Sequence, residues 1–352
     1  MKTTVLVLFG GVSGEHDVSL VSAASVMRNM DQNKYEILPM GITGDGRSFL
    51  YTGPLDEIEQ NRWEQDAAHL TPAVISPDRG HHGILLLRGK EFEIVRVDVV
   101  FPVLHGKNGE DGTMQGLLTL AGLPFVGCGV TASADCMDKA VTNALADIYG
   151  IPQAKWISFS RHEYERDPAA CLRQAETLGF PLFVKPANAG SSLGVSKVTA
   201  PAALAAACEE AFRHDEKLVL EEGILGHEVE CAVLGNEDPL ASVVGEIEAC
   251  NDFYDYDAKY LAGTSRLLIP APLSEETAQA VRAMAVKAFR AMGCRGLSRV
   301  DFFVRGSDGA VLLNEINTIP GFTSISMYSK LFAASGIPYA ELIDRLIACA
   351  TE

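Results

Sequence analysis

Apolar and polar positions along this chain fall into blocks whose period changes. "TTVLVLFGG" is an unbroken apolar run ending in glycines, as in a strand buried on both faces that enters a tight turn. "DVSLVSAASVMRNM" then has helical spacing, and "YEILPMGIT" returns to a strand. "EFEIVRV", "VDVVFPVLHG" and "LPFVGCG" read as further strands, with the helical "GTMQGLLTLAGL" between the last two. Strand, glycine turn, helix, strand is the pattern of an α/β layer with its sites at strand ends. A first domain is expected over residues 1–130, closed by the Gly127–Gly129 turn.

A central domain is expected over 131–222. "CMDKAVTNALADIYGIP" reads as a helix closed by Gly150 and Pro152, "AKWISFS" as a strand, and 168–179 as a helix. "FPLFVKPANAGSSLGVSKV" reads as two strands joined by a loop of small residues, followed by the helical "AALAAACEEAFR" and the strand "KLVLEEGI". The third domain, 223–352, holds the strands "HEVECAVLG" and "ASVVGEIE", the aromatic, acidic "CNDFYDYDAKYLAGTSR", and the long helix "SEETAQAVRAMAVKAFRAMG". It ends with "RVDFFVRGSDGAVLLNEIN" and a C-terminal helix. The fold class is α/β with an α+β C-terminal part, in three domains around a shared cleft.

Composition narrows the chemistry. A chain of 352 residues with 47% apolar and 21% charged positions has ample core for two or three domains. Its 29 Lys and Arg against 46 Asp and Glu leave a net charge of −17, which argues against a nucleic-acid or anionic-membrane surface. The eight cysteines form no C-x-x-C and no zinc spacing, and read as reduced thiols of a cytoplasmic protein. No stretch approaches the roughly 20 apolar residues of a membrane span.

"RVDFFVRGSDGAVLLNEIN" reads as a β-hairpin turning at Asp308, with Gly309 in the left-handed position. That register sets Asp301 opposite Glu315 and Arg299 opposite Asn317, on one face. Two carboxylates so close repel unless a cation lies between them, and oxygen-only donors favour Mg²⁺. The alternative is an exposed hairpin with solvated charges. In "VKPANAGSSLGV", Lys185 precedes a loop of Gly190, Ser191, Ser192 and Gly194, whose N–H groups suit phosphates or merely form a turn. Lys139 is a second candidate phosphate contact, and Glu221 and Glu228 are candidates for an adenine amino group or ribose hydroxyls. Glu15, in "FGGVSGEHDVSL", is either a helix-capping carboxylate or an ammonium-binding group. His105 sits at a strand end before a glycine-rich turn, a place where a lone His is more often structural.

In this order, "FGGVSGEHDVSL", "HGKNGEDGTMQG", "CMDK", "VKPANAGSSLGVSKV", "YDYDAKY", "RVDFF" and "NEINTIPGFT" resemble the ATP-grasp superfamily, and within it the D-alanine–D-alanine ligase family, end to end. The resemblance implies an enzyme that joins two D-amino acids using ATP through an acyl phosphate, for peptidoglycan precursors. It implies that Lys139, Lys185 and Lys259 contact phosphates, and that Glu221 and Glu228 hold adenine and ribose. By the same resemblance Asp301, Glu315 and Asn317 bind two Mg²⁺ ions, with Mn²⁺ a possible substitute. Arg299 and the Gly321 N–H match oxyanion stabilisers, and Glu15 matches the holder of the first substrate's ammonium, partnered by Ser191 and Tyr260. His105 lies near that substrate, while Ser326 and Met327 match the receivers of the second substrate's carboxylate. "CNDFYDYDAKYLAGTSR" resembles the mobile loop that closes the site, which the resemblance sets at about 246–268, and a homodimer is expected.

Two departures matter. Glu222-Gly223 stands where some relatives carry Lys-Trp beside the adenine. Tyr260 argues against a lactate-using relative but does not separate alanine from serine as second substrate. A D-alanine–D-serine ligase, another ATP-grasp carboxylate–amine ligase, and a non-catalytic ATP-binding module remain the alternatives.

Overall fold

The apolar N-terminal run is strand β1 (Thr3–Gly10), buried from Val5 onward. Val5, Val7 and Phe9 pack on Leu20, Ala23 and Met27 of α1 (His16–Asn29), while Leu6 and Leu8 pack on Leu118 and Ala121 of α3 (Thr113–Ala121). A strand with both faces covered has no use for polar alternation, which explains the unbroken run. β1 pairs in parallel with β2 (Tyr35–Ile42) and β7 (Val99–Pro102). From β2 the sheet continues antiparallel through β3 (Ser48–Tyr51), β4 (Leu70–Ile75), β5 (Gly83–Arg88) and β6 (Glu91–Arg96), with the short α2 (Leu55–Glu59) between β3 and β4. The structure is a computed structural model describing residues 2–190, 192–248, 266–323 and 326–352.

After α4 (Val130–Met137) and α5 (Lys139–Ile148) comes an antiparallel sheet in the order β10-β9-β11-β8. Its strands are β8 (Trp156–Ser160), β9 (Leu182–Pro186), β10 (Ser196–Val198) and β11 (Lys217–Glu222). One face is covered by α6 (Arg161–Arg166), α7 (Pro168–Glu176) and α8 (Leu204–Ala211).

A third sheet, β14-β13-β12-β15-β16, is antiparallel throughout. It is built from β12 (Gly226–Gly235), β13 (Leu240–Glu248), β14 (Arg266–Leu268), β15 (Gly296–Arg305) and β16 (Val311–Asn317). Its Val229, Cys231, Val300, Phe302 and Ile316 face α9 (Glu275–Ala291). The opposite face changes character along its length. Ala232, Leu234 and Leu297 share a core with α10 (Met327–Ala334), α11 (Tyr339–Thr351) and β1. Beyond them the same alternation presents Glu228, Glu230, Arg299 and Asp301. That charged end of an otherwise buried face is the candidate site.

Several sequence expectations need correction. "LPFVGCG" makes only an isolated bridge, Val100 to Phe125, because Gly127 takes φ 106° and the chain leaves the sheet. The helix expected from Cys136 through Tyr149 is two helices. Asp138 breaks them by adopting an extended conformation and accepting the N–H groups of Ala140 and Val141, the competition with helical bonding typical of an N-cap aspartate. The helix at 168–179 stops at Glu176, before Gly179 turns left-handed. The single C-terminal helix is likewise two, parted by Gly336 at φ 87° and Pro338. At the expected loop of 246–268, Glu246, Ile247 and Glu248 pair with Leu268, Leu267 and Arg266, so its ends are strand; residues 249–265 lie outside the described residues. Strands β3 to β5 carry no marked pattern and were not expected.

Candidate active site

The hairpin β15–β16 pairs Asp301 with Glu315 and Arg299 with Asn317, as its sequence predicts, and Gly309 has φ 73°. The route differs, however. From the turn the register runs Val304 to Val311, Phe303 to Leu312 and Phe302 to Leu313, one residue out of step with the expected pairing. A bulge at Asn314 absorbs the difference. Without that extra residue Glu315 would pair with Val300 and turn toward α9, since a one-residue slip exchanges the faces of a strand.

On the cleft face, the Arg299 guanidinium donates to both oxygens of Asp301, from Nε to Oδ1 at 2.8 Å and from Nη2 to Oδ2 at 2.6 Å, and its Nε lies 3.0 Å from Glu230 Oε2. Burial opposes the charge of Arg299, but Asp301, Glu230 and Glu315 outweigh it and raise its pKa well above the ordinary value. The Asn317 amide donates to Asp301 Oδ2 at 3.0 Å and to Glu315 Oε1 at 3.4 Å, so one side chain bridges both carboxylates. Among the described residues no three His, Cys, Asp or Glu side chains stand close enough to hold a metal by themselves. Two carboxylates joined by an amide, all oxygen-bearing, fit Mg²⁺, which keeps several positions for water and phosphate oxygens.

Lys185 on β9 and Glu221 on β11 form a buried ion pair at 2.6 Å, and Asn143 of α5 donates to the other Glu221 oxygen at 2.9 Å. Burial disfavours both charges, yet each partner more than compensates: the Lys185 pKa is raised and the Glu221 pKa lowered. Glu315 and Glu228 add to the field at Lys185, which ties the second sheet to the third across the cleft. Lys139, the first residue of α5, reaches the Ala189 carbonyl at 2.7 Å and so braces the small-residue loop. Ser192 and Gly194 in that loop are left-handed, at φ 60° and 71°.

Glu15 makes no side-chain cap bond to α1. Instead it points between two glycines: a Cβ at Gly190 would fall 2.8 Å from Glu15 Oε2, and one at Gly106 2.5 Å from it. A Cβ at either glycine would push the carboxylate from the place it holds. His105 is 5% exposed, with Nδ1 3.0 Å from the Ile319 carbonyl and Nε2 3.3 Å from Ser22 Oγ. Burial lowers its pKa, against the opposing charge of Glu15. Gly321 lies beside Ser326, since a Cβ there would fall 3.0 Å from Ser326 Oγ. Ser326 precedes α10, whereas the Met327 side chain is buried in the core. Ser191, Lys259 and Tyr260 lie outside the described residues.

Two acidic residues at the site were not singled out from the sequence. Glu230 follows Glu228 by two positions on β12, a strand-period signal visible in "HEVE". Glu110, within "HGKNGEDG", accepts the Gly106 N–H at 2.7 Å and the Ile319 N–H at 3.2 Å. Desolvation, then the charges of Glu15 and Glu315, push its pKa up to about 8. The folded protein therefore keeps a proton that the unfolded chain releases near the usual carboxylate value of about 4.3. Its stabilising contribution is fully present below that value and is lost as pH rises toward 8. In ligand-free enzyme, the Tm difference of Glu110→Gln relative to wild type is expected to move in the variant's favour from pH 5 to pH 8.5. Parallel melting curves would refute the raised pKa.

Family models describe the same chain in two parts, "D-ala D-ala ligase N-terminus" over residues 4–128 and "D-ala D-ala ligase C-terminus" over 145–348. A D-alanine–D-alanine ligase of Caldicellulosiruptor bescii is 48% identical over 352 residues, covering 100% of this chain and 96% of the relative. That of Acetivibrio thermocellus is 49% identical over 363 aligned positions, covering 100% and 96%. Among solved structures, the VanG D-Ala:D-Ser ligase from Enterococcus faecalis superposes with a TM-score of 0.91 at 43% identity, covering 99% of this chain and 100% of that one. The D-alanine–D-alanine ligase from Coxiella burnetii gives 0.85 at 36% identity, covering 99% and 94%. The three-sheet architecture is thus that of the ATP-grasp ligases, and the chain belongs to the D-alanine–D-alanine ligase family.

Proposed function

We propose that this chain joins two D-alanines into D-alanyl-D-alanine with ATP. The observation that carries the proposal is the cluster of Asp301, Glu315, Asn317 and Arg299 on the third sheet, in electrostatic reach of Lys185 on the second. ATP would lie between those sheets, with Glu221 and Glu228 taking adenine and ribose, and Lys139, Lys185 and Lys259 taking the phosphates. Lys185 then exchanges Glu221, and Lys139 the Ala189 carbonyl, for phosphate oxygens. Asp301, Glu315 and Asn317 would hold two Mg²⁺ ions, which when bound would neutralise charge on the phosphates and on the transferring phosphoryl group.

Glu15, with Ser191 and Tyr260, would hold the first D-alanine's ammonium beside Gly106 and Gly190. That substrate's carboxylate oxygen bonds to the γ-phosphorus as the bond to ADP breaks. The second D-alanine, its carboxylate at Ser326 and the α10 N-terminus, loses a proton from its ammonium to solvent, and the resulting amine attacks the activated carbonyl, its nitrogen releasing a second proton to solvent as the C–N bond forms. The adduct expels phosphate to leave the peptide. Arg299 and the Gly321 N–H face the charge that grows on the carbonyl oxygen, as preorganised donors do. Met327 would act through its backbone N–H.

The sheets fall one in each of the segments 1–130, 131–222 and 223–352, which supports keeping those as domain bounds. A homodimer and a cytoplasmic location belong to the proposal by family resemblance. No helix of the described residues is long and apolar enough to cross a membrane.

A second reading, D-alanine–D-serine ligation, is favoured by the close superposition on the VanG D-Ala:D-Ser ligase. Incubation with ATP, Mg²⁺ and equimolar D-alanine and D-serine, with product analysis, separates the two. D-alanyl-D-alanine is expected in excess. Mainly D-alanyl-D-serine would establish the second reading, and ATP turnover indifferent to D-amino acids would refute both.

A further inference from the structure

We propose that Glu110, His105 and Ser22 are positioning residues for the Gly321 N–H, so that the N-terminal layer aims this donor across the cleft. The inference rests on the ligase reading above and deepens it. Between β16 and α10 the chain passes through Ile319, Pro320, Gly321 and Phe322, and both backbone groups of Ile319 and of Phe322, on either side of the Pro320–Gly321 pair, are tied down. The Ile319 N–H donates to Glu110 Oε1 at 3.2 Å, across 209 positions of sequence. The Ile319 carbonyl accepts from His105 Nδ1 at 3.0 Å. The Phe322 N–H donates to Ser22 Oγ at 3.3 Å, and the Phe322 carbonyl accepts from Tyr339 Oη at 2.6 Å. The Thr323 N–H donates to Ser326 Oγ at 2.9 Å.

Pro320 has no N–H. Among the described residues, the Gly321 N–H is therefore the one backbone donor of 319–323 left without a partner. Gly321 is also half-exposed, while Ile319, Pro320 and Phe322 are buried. The ties interlock. With Nδ1–H donated to Ile319, His105 Nε2 accepts the Ser22 hydroxyl proton, and Ser22 Oγ in turn accepts from Phe322. Glu110 spends its other oxygen on Gly106, the glycine that also admits Glu15. One small network thus links the turn beside the Glu15 carboxylate to the loop that carries the oxyanion donor. A donor is useful in catalysis only when held where charge develops, and a shift of about 1 Å can cost about 100-fold in rate.

The test uses the full-length enzyme. Glu110→Leu and His105→Leu remove the ties. Glu110→Gln keeps an acceptor for Ile319 N–H, and His105→Asn keeps a donor for its carbonyl. For each variant, kcat for dipeptide formation, the ATP Kd and the inhibition constant of a phosphinate analogue of the tetrahedral adduct are measured. The Leu variants are expected to lose about 10- to 100-fold in kcat and similarly in phosphinate affinity, with ATP affinity kept within about threefold and most of the loss recovered by Gln and Asn. Unchanged kcat and phosphinate affinity, or equal weakening of phosphinate and ATP, would overturn the proposal. If the Leu variants do not fold, Ser22→Ala carries the test, with a several-fold loss of phosphinate affinity at constant ATP affinity expected and no change refuting. A wild-type enzyme that makes no dipeptide from D-alanine refutes the ligase reading instead, a result visible before any variant is made.

Discussion

Glu315→Gln is expected to lower kcat at least about 100-fold while leaving Tm in metal-free buffer within about 2 °C of wild type. The two effects separate because, in the proposed mechanism, the carboxylate works with a cation rather than with the fold. Glu315 faces Asp301 across the hairpin, and Asn317 bridges them. Glutamine keeps the shape and one carbonyl oxygen but removes the charge, so cation affinity falls while packing survives. The variant should also need far more Mg²⁺ for half-maximal rate and should lose most of the Tm increase that Mg²⁺ with ATP confers on the wild type. Steady-state rates over a Mg²⁺ series and melting with and without Mg²⁺·ATP read both. Full turnover at the wild-type Mg²⁺ requirement would remove Glu315 from the metal site.

Arg299→Met should do harm of a different kind. Arg299, with 18% of its side chain exposed, lies between Asp301 and Glu230, both nearly buried. Removing one partner of a buried ionic cluster leaves charge that nothing neutralises, a cost of about 3–5 kcal/mol, so Tm should fall by roughly 5 °C. The catalytic loss should reach about 100-fold or more, because in the proposed mechanism the guanidinium also faces the developing oxyanion. Arg299→Lys distinguishes the two roles. Lysine restores charge but not the planar fork that spans both Asp301 oxygens at 2.8 and 2.6 Å. It should recover part of the Tm and little of kcat. A methionine variant as stable as wild type would show that the acidic pair is neutralised by something else.

The hairpin shows how far residue patterns reach. Its strands, its left-handed Gly309 and the meeting of Asp301 with Glu315 follow from alternation and a glycine turn. The bulge at Asn314 does not, because a loop one residue shorter or longer at the turn suits the same residues. Only packing decides it: Phe302, Leu313 and Ile316 must all face α9, which forces the extra residue between Leu313 and Glu315. The break at Asp138 was hidden for a related reason. The apolar spacing of "CMDKAVTNAL" continues through it, and the aspartate's preference for capping prevailed over helical continuation.

By itself the sequence determined the buried β1, the oxygen-only donor set of the hairpin, the glycines that open the loops, and, through its ordered motifs, the family. These rest on local period and residue chemistry, which need no knowledge of what lies opposite. Only the tertiary structure decided that Glu110 and His105 grip Ile319, that Glu230 shares Arg299 with Asp301, and that Lys185 is matched with Glu221. Each of those pairings joins groups brought together by packing rather than by spacing. For Lys185 and Arg299 the partner could be any of the chain's 46 acidic residues until the backbone closes around them.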